Sequence, residues 1–137
     1  MYSDYKCPNC RGNLRLGHNI ILSAIKNDKS GAIIMLHPEL GNYSADYHKE
    51  TKFNEGDFVT FYCPICHHDL SSHKHENLAM VIMIGEDNKE YDIYFSQVAG
   101  EYSTVKMLGE HVELYGKHSD NYVDYFNLSM MSWADWL

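Results

Sequence analysis

The sequence has few residues of several types and lacks some common patterns, and each shortage excludes a class of protein. The 137 residues include four cysteines, three prolines and two tryptophans. No apolar run reaches the length of about 18 residues that a membrane-spanning helix needs. Residues 1–6 are not apolar, so nothing predicts a secretory signal peptide. We therefore expect a cytoplasmic protein, in which thiols stay reduced and paired cysteines favour metal binding over disulfides.

Positive charge is also scarce. Eleven lysines and arginines stand against nineteen acidic residues, and the formal net charge is −8. Residues 1–75 hold eight basic and eight acidic side chains, so the whole excess lies in residues 76–137. The phosphate backbone of a nucleic acid repels such a chain, and no basic stripe offsets the repulsion. Nucleic acid is therefore not the expected partner.

All four cysteines lie in two short segments with the same spacing. The segments read Cys-Pro-Asn-Cys at residues 7–10 and Cys-Pro-Ile-Cys at residues 63–66. Two such turns side by side supply the four thiolates that a tetrahedral zinc ion takes. This predicts one shared structural zinc ion, with the ligands Cys7, Cys10, Cys63 and Cys66. Iron is the chemical competitor because it also binds two C-x-x-C pairs, and a thiol redox pair is the remaining alternative.

Two such knuckles with a hairpin between them resemble the zinc-ribbon or rubredoxin-like superfamily. The resemblance covers roughly residues 6–70 and depends on the four cysteines and two prolines, while the acidic second half is similar to small bacterial proteins. It implies a structural zinc ion in a β-rich module but selects no function, since zinc ribbons serve in nucleic-acid machinery, protein contacts and enzyme subunits. The common pattern has glycine directly after each knuckle. Here Arg11 and His67 follow the knuckles, and Gly12 stands one place late.

Outside the knuckles, the order of apolar segments and turn residues predicts a mainly β fold with little helix. We expect a zinc-ribbon-like module at residues 1–75 with a long insertion between the knuckles, an antiparallel β-meander at 76–127, and an apolar C-terminal tail at 128–137. Apolar segments separated by turn residues indicate strands. They lie at residues 19–26, 31–37, 57–62, 78–84, 91–95, 101–108 and 111–115. Residues 120–127 are expected to form one helical turn capped by Ser119 or Asp120.

A zinc ion with four thiolates has no open position for water or substrate, so we expect no catalysis at the ion. Its formal charge of −2 could be offset by nearby cations. The candidates are Lys6, Arg11, Arg15 and a protonated His67 or His68. The stretch from His67 to His75 is expected to be a polar link, with a second metal site as the alternative. The sequence shows no recognisable set of catalytic side chains, although His37 and His48 would be the residues to consider for an enzyme.

The expected function is therefore a zinc-stabilised structural or adaptor protein that contacts another protein. Trp133, Trp136 and Leu137 are the candidate partner-binding residues, because tryptophan is favoured at interfaces. The same residues could instead complete the core, and self-association into a homo-oligomer is a further possibility. The alternative function is a nucleic-acid-associated zinc ribbon that stacks bases on Tyr43, Tyr47 and Phe61.

Overall fold

The structure, a computed structural model, describes residues 3–48, 50–122 and 126. Over these residues the chain forms two antiparallel sheets and a short 3₁₀ turn at Ser119–Asn121. The predicted mainly β fold with little helix is confirmed. No helix in this part of the chain has the length and apolar character needed to cross a membrane. The strands are β1 (Asp4–Lys6), β2 (Arg15–Leu16), β3 (Asn19–Lys26), β4 (Gly31–Leu36), β5 (Ala45–Tyr47), β6 (Val59–Tyr62), β7 (Leu78–Ile84), β8 (Glu90–Ser96), β9 (Thr104–Leu108) and β10 (His111–Tyr115).

The first sheet is built around β3. Its order is β2-β3-β4-β5, and β6 also pairs with β3. The predicted hairpin is confirmed as β3 and β4, which pair from Ile20 opposite Leu36 to Ile25 opposite Gly31. Alternate residues of β3 are buried, and Leu22 is completely inaccessible. The period of two in the sequence therefore sets which face of this sheet points into the core.

The second sheet has the order β1-β7-β8-β9-β10. Strands β7 to β10 form the meander that the sequence predicts. Strand β1 pairs antiparallel with β7, with Tyr5 opposite Met83, although β7 begins 72 positions after Lys6, the last residue of β1. The start of the chain is thus part of the sheet that residues 78–115 build.

Two local expectations at the end of the meander are wrong. Strand β9 begins at Thr104 and not at Glu101, because the chain turns at Gly100 (φ +85°) and the Glu101 N–H donates to the Val98 carbonyl. The residue before the 3₁₀ turn is His118, and its side chain makes no capping hydrogen bond. The helical turn therefore begins at Ser119, one residue before its predicted start, and part of its predicted range lies outside the described residues.

The two sheets pack face to face over one hydrophobic core. The first sheet contributes Leu22 and Phe61, and the second contributes Val81 and Ile93. Tyr5 lies among them with 1% of its surface exposed, and its hydroxyl donates to the Pro38 carbonyl at 2.6 Å. A second, smaller cluster lies on the opposite face of the second sheet. Its buried members are Leu78, Tyr94, Val105, Tyr122 and Phe126.

Candidate metal centre

Each cysteine knuckle directly follows a strand, and the two strands belong to different sheets. Cys7 comes after β1 of the second sheet, and Cys63 comes after β6 of the first sheet. The packing of the sheets brings these two strand ends together. The four cysteines therefore lie at one end of the interface between the sheets, where an ion would join the sheets to each other.

The two knuckles have the same backbone hydrogen bonds. In the first, the Arg11 N–H donates to the Cys7 carbonyl at 3.0 Å. In the second, the His67 N–H donates to the Cys63 carbonyl at 2.9 Å. Arg11 and His67 each have φ of +64°, the left-handed conformation that glycine usually supplies. The knuckle geometry is thus kept even though both glycines of the common pattern are replaced.

Replacing His67 by glycine should stabilise the protein. A residue with a Cβ destabilises the folded protein by roughly 1–2 kcal/mol when it adopts the left-handed conformation. Glycine removes this strain, but its greater freedom in the unfolded chain offsets part of the gain in stability. We expect the free energy of unfolding of the metal-loaded protein to rise by about 0.5–1 kcal/mol in urea titrations. Ile65→Gly in the same knuckle is the control, because Ile65 has no positive φ, and it should destabilise. Equal losses for both variants would contradict this explanation.

The four sulfurs lie close together, and two of the distances between them match the edge of a tetrahedral metal site. The Sγ atoms of Cys7 and Cys66 are 3.8 Å apart, and those of Cys10 and Cys63 are also 3.8 Å apart. All four sulfurs lie within 4.8 Å of one another. A tetrahedron with Zn–S bonds of about 2.3 Å has edges of about 3.8 Å, whereas a disulfide requires about 2.05 Å. The cysteines are positioned to bind a metal ion, and all four are free thiols.

Backbone N–H groups surround the sulfurs. Asn9 and Ile65 donate from their backbones to Cys7 and Cys63 at 3.3 and 3.4 Å, and Gly12 donates to Cys10 at 3.3 Å. Such donors favour the charged thiolate form. They therefore provide much of the compensation that four negative sulfurs need, without a charged side chain.

The side chain of Asn9 links the two knuckles. Its Nδ2 donates to the Sγ of Cys66 at 3.6 Å, and this hydrogen bond is the main cause that lowers the pKa of the Cys66 thiol to about 6. Burial raises the pKa of the Cys7 thiol to about 12. Asn9 is a site residue that sequence reasoning missed, because its partner lies 57 positions away along the chain.

Two of the cations expected near the sulfurs are paired elsewhere. Arg11 forms a bidentate ion pair with Glu90 at 2.9 and 2.5 Å, and Arg15 pairs with Asp4 at 2.9 Å. Arg11 therefore connects the first knuckle to β8. Its role in the structure is a contact between the knuckle and the second sheet.

Within the part of the chain that the structure describes, the histidines do not gather into a second metal centre. Among the described residues, the four cysteines are the one group of three or more metal-ligating side chains close enough to share an ion. His37 and His48 each accept a hydrogen bond at Nδ1 from the backbone two residues later. A cavity of about 140 Å³ between the sheets is lined by His37 and Glu39 but mostly by apolar residues.

The aromatic residues considered for base stacking, Tyr43, Tyr47 and Phe61, line one cavity of about 330 Å³. Phe61 is buried in the core with 6% of its surface exposed. Tyr43 stacks on Tyr102 at 4.8 Å, and Tyr47 packs edge-on against Phe53 at 4.7 Å. Phe61 therefore has little exposed surface for a stacked base, and the nucleic-acid alternative stays a prediction. Trp133, Trp136 and Leu137 lie outside the described residues.

The fold and the site together define a mainly β protein with a four-cysteine centre positioned to bind a metal ion. Comparisons with family models, with curated proteins and with solved structures give no match for this chain. The likeness to zinc ribbons thus depends on the cysteine cluster itself.

Proposed function

We propose that this protein is a zinc-stabilised, non-catalytic adaptor that contacts another protein through the outer face of its first sheet. The cytoplasm is the proposed location, since four reduced thiolates are needed. The observation that carries the proposal is an apolar sheet face left open to solvent. The metal centre holds that face in place and takes no part in chemistry.

The proposed role of the metal follows from the ligand set. Four thiolates close the coordination shell, so neither water nor substrate reaches the ion. Zinc suits this set because it has no redox chemistry and accepts a regular tetrahedron. The 3.8 Å sulfur separations fit zinc and also fit iron, so the metal itself needs a measurement.

The outer face of the first sheet carries large apolar side chains. Ile25 and Ile33 are 37% and 54% exposed. The strand register places Ile21 and Met35 opposite each other on this face, with Tyr62 opposite Ser23. A solvated face of an antiparallel sheet usually carries polar residues. A sheet face with several exposed apolar side chains marks a protein contact more often than ordinary surface does. We name these residues (Ile21, Ile25, Ile33, Met35 and Tyr62) the open face.

Site-directed photo-crosslinking tests the adaptor function. A photoreactive phenylalanine analogue in place of Ile33 should form one adduct of defined mass with a partner protein when the chain is produced in its native cells. The same analogue in place of Lys89, an exposed turn residue of the second sheet, should not. Ile25→Asp should abolish the Ile33 adduct, because a charge opposes burial at an interface. No adduct, or equal adducts at both positions, would contradict the proposal.

A further inference from the structure

Five aromatic side chains line one cleft between the inner face of the first sheet and the connection from β8 to β9. They are Tyr43, Tyr47, Phe53, Phe61 and Tyr102. We name this cavity of about 330 Å³ the aromatic cleft. Apart from Ser96, Gln97 and Glu101, its other lining residues are apolar or glycine. Small-molecule sites have volumes of about 300–1,000 Å³ and a largely apolar lining with a few polar groups, so the cleft has the size and composition of such a site.

The ring faces of the aromatic cleft are accessible to cations. Phe61 is buried, whereas Tyr102 is 37% exposed, so the rings extend from the core to the surface. The Nζ atom of Lys117 lies 5.2 Å from the centroid of the Tyr102 ring, and that of Lys26 lies 5.9 Å from the centroid of the Phe53 ring. The face of an aromatic ring attracts a cation at such distances. Two rings of the cleft therefore already contact the ammonium groups of lysines.

Glu101 adds a negative charge to the lining of the aromatic cleft. Burial alone raises the pKa of its carboxyl group, but hydrogen bonds from Ser96, Tyr122 and Asn121 outweigh burial and lower the pKa. The carboxylate is therefore ionised at neutral pH. No lysine or arginine of the described residues forms an ion pair with it. Its charge is left without a paired cation, in a chain whose formal net charge is already −8.

The aromatic cleft has few free hydrogen-bond acceptors. Both carboxylate oxygens of Glu101 already accept hydrogen bonds, and the Tyr43 hydroxyl is shared between Thr104 and the Tyr115 carbonyl. The Oε1 atom of Gln97 is one buried acceptor that lacks a partner among the described residues. A primary ammonium group carries three N–H donors, and each needs an acceptor once water is removed. A quaternary ammonium group has no N–H donor, so it fits this lining better.

We propose that the aromatic cleft binds a small molecule that carries a quaternary ammonium group. The cation lies against the tyrosine rings and close to Glu101, and its methyl groups contact the apolar lining. Lys117 leaves the face of Tyr102 when the ligand binds, because two cations repel each other there. The inference does not depend on the adaptor function, since the cleft lies on the inner side of the first sheet and the open face lies on the outer side.

Choline and an uncharged isostere test the proposal in the full-length, metal-loaded protein. The isostere is the alcohol in which a tert-butyl group replaces the trimethylammonium group of choline. NMR titrations that follow the tyrosine ring protons give the Kd of each compound. We expect choline to bind about tenfold more tightly, because the isostere lacks the attraction to the rings and to Glu101. No binding of choline, or equal binding of both compounds, would overturn the proposal.

Substitution of the rings locates the binding. Tyr47→Leu keeps an apolar side chain in the aromatic cleft but removes a ring face, so choline should bind about tenfold more weakly. Tyr62→Leu is the matched control, because Tyr62 lies on the open face, and it should leave the Kd unchanged. Tyr102→Leu, at a more exposed position, keeps the test decisive if Tyr47→Leu fails to fold. Choline binding that neither cleft variant weakens would overturn the proposal.

Two charge variants should act in opposite directions. Lys117→Met removes the competing cation and should tighten choline binding several-fold, whereas Glu101→Gln should weaken it. Neither variant should alter the binding of the uncharged isostere. Circular dichroism and the bound metal are measured for each variant to confirm the fold. Equal changes for choline and the isostere would show that charge is not recognised and would overturn the proposal.

Two further probes separate other occupants of the aromatic cleft. Vesicles of phosphatidylcholine present the same cation on a lipid surface, and adenosine monophosphate presents a base for stacking. We expect neither to bind, because the rings extend inward to the buried Phe61 and because Glu101 repels a phosphate group. Binding of the vesicles without binding of free choline would overturn the proposal in favour of a lipid surface. Binding of adenosine monophosphate in place of choline would overturn it in favour of the nucleic-acid alternative.

Discussion

Removing the metal should unfold both sheets and not only the segment between the knuckles. Structural zinc sites contribute on the order of 10 kcal/mol, which is comparable to the entire stability of a domain, about 5–15 kcal/mol. Cys7 extends a strand of the second sheet and Cys63 extends a strand of the first, so both sheets lose an anchor. Chelator treatment should abolish the far-ultraviolet β signal and the resistance to proteolysis, and elemental analysis should find one ion per chain.

Two variants and the visible absorption of the purified protein make this test specific. Cys63→Ser should reproduce the effect of the chelator, because Cys63 is completely buried and serine is a poor zinc ligand. Pro64→Ala, in the same knuckle, keeps all four sulfurs and should retain the ion. A colourless purified protein agrees with zinc, whereas visible thiolate-to-metal absorption would identify iron. Unchanged circular dichroism and proteolysis after complete metal removal would contradict the structural role.

Leu22→Ala should destabilise the protein by about 2–5 kcal/mol. Leu22 lies in the central strand of the first sheet with none of its surface exposed, so truncation leaves a cavity between the sheets. The measurement is the urea midpoint and slope of the metal-loaded protein. A loss of this size approaches the total stability of a small domain.

Ile33→Ala is the matched control on the neighbouring strand. Ile33 points to the opposite face of the same sheet and is 54% exposed, so its truncation should change the free energy of unfolding by about 0.5 kcal/mol or less. Similar losses for Leu22→Ala and Ile33→Ala would mean that the open face is buried in the isolated protein. That result would also contradict the proposed partner surface.

The sequence was most informative where the signal is local. The C-x-x-C spacing predicts which sulfurs converge, and the turn residues between 26 and 31 predict the β3–β4 hairpin that the register confirms. The meander follows from apolar segments joined by short turns. In each case the residues that determine the structure are close together in the chain.

The features that could not be predicted are those that join distant parts of the chain. Strand β1 is three residues long and shows no period of its own, so nothing in it indicates β7 as its partner. The hydrogen bond from Asn9 to Cys66 depends on the packing of two sheets. The positive φ of Arg11 and His67, in contrast, is indicated by the sequence, because glycine is usual directly after such knuckles. The C-x-x-C spacing identified the knuckles, whereas the hydrogen bond between them depends on tertiary packing.

The pairing of β1 with β7 has a consequence for how the protein is made. Tyr5 finds its partner in Met83, so the first strand has no place to pair until the chain has been translated beyond that point. At about 5–20 residues per second, the interval is roughly 4–16 s. The second pair of cysteines follows the first by 56 positions, so for roughly 3–11 s of synthesis the first pair of thiols exists without the second. The nascent chain therefore passes through a stage in which an exposed dithiol is open to oxidation or to capture of a metal by two ligands instead of four.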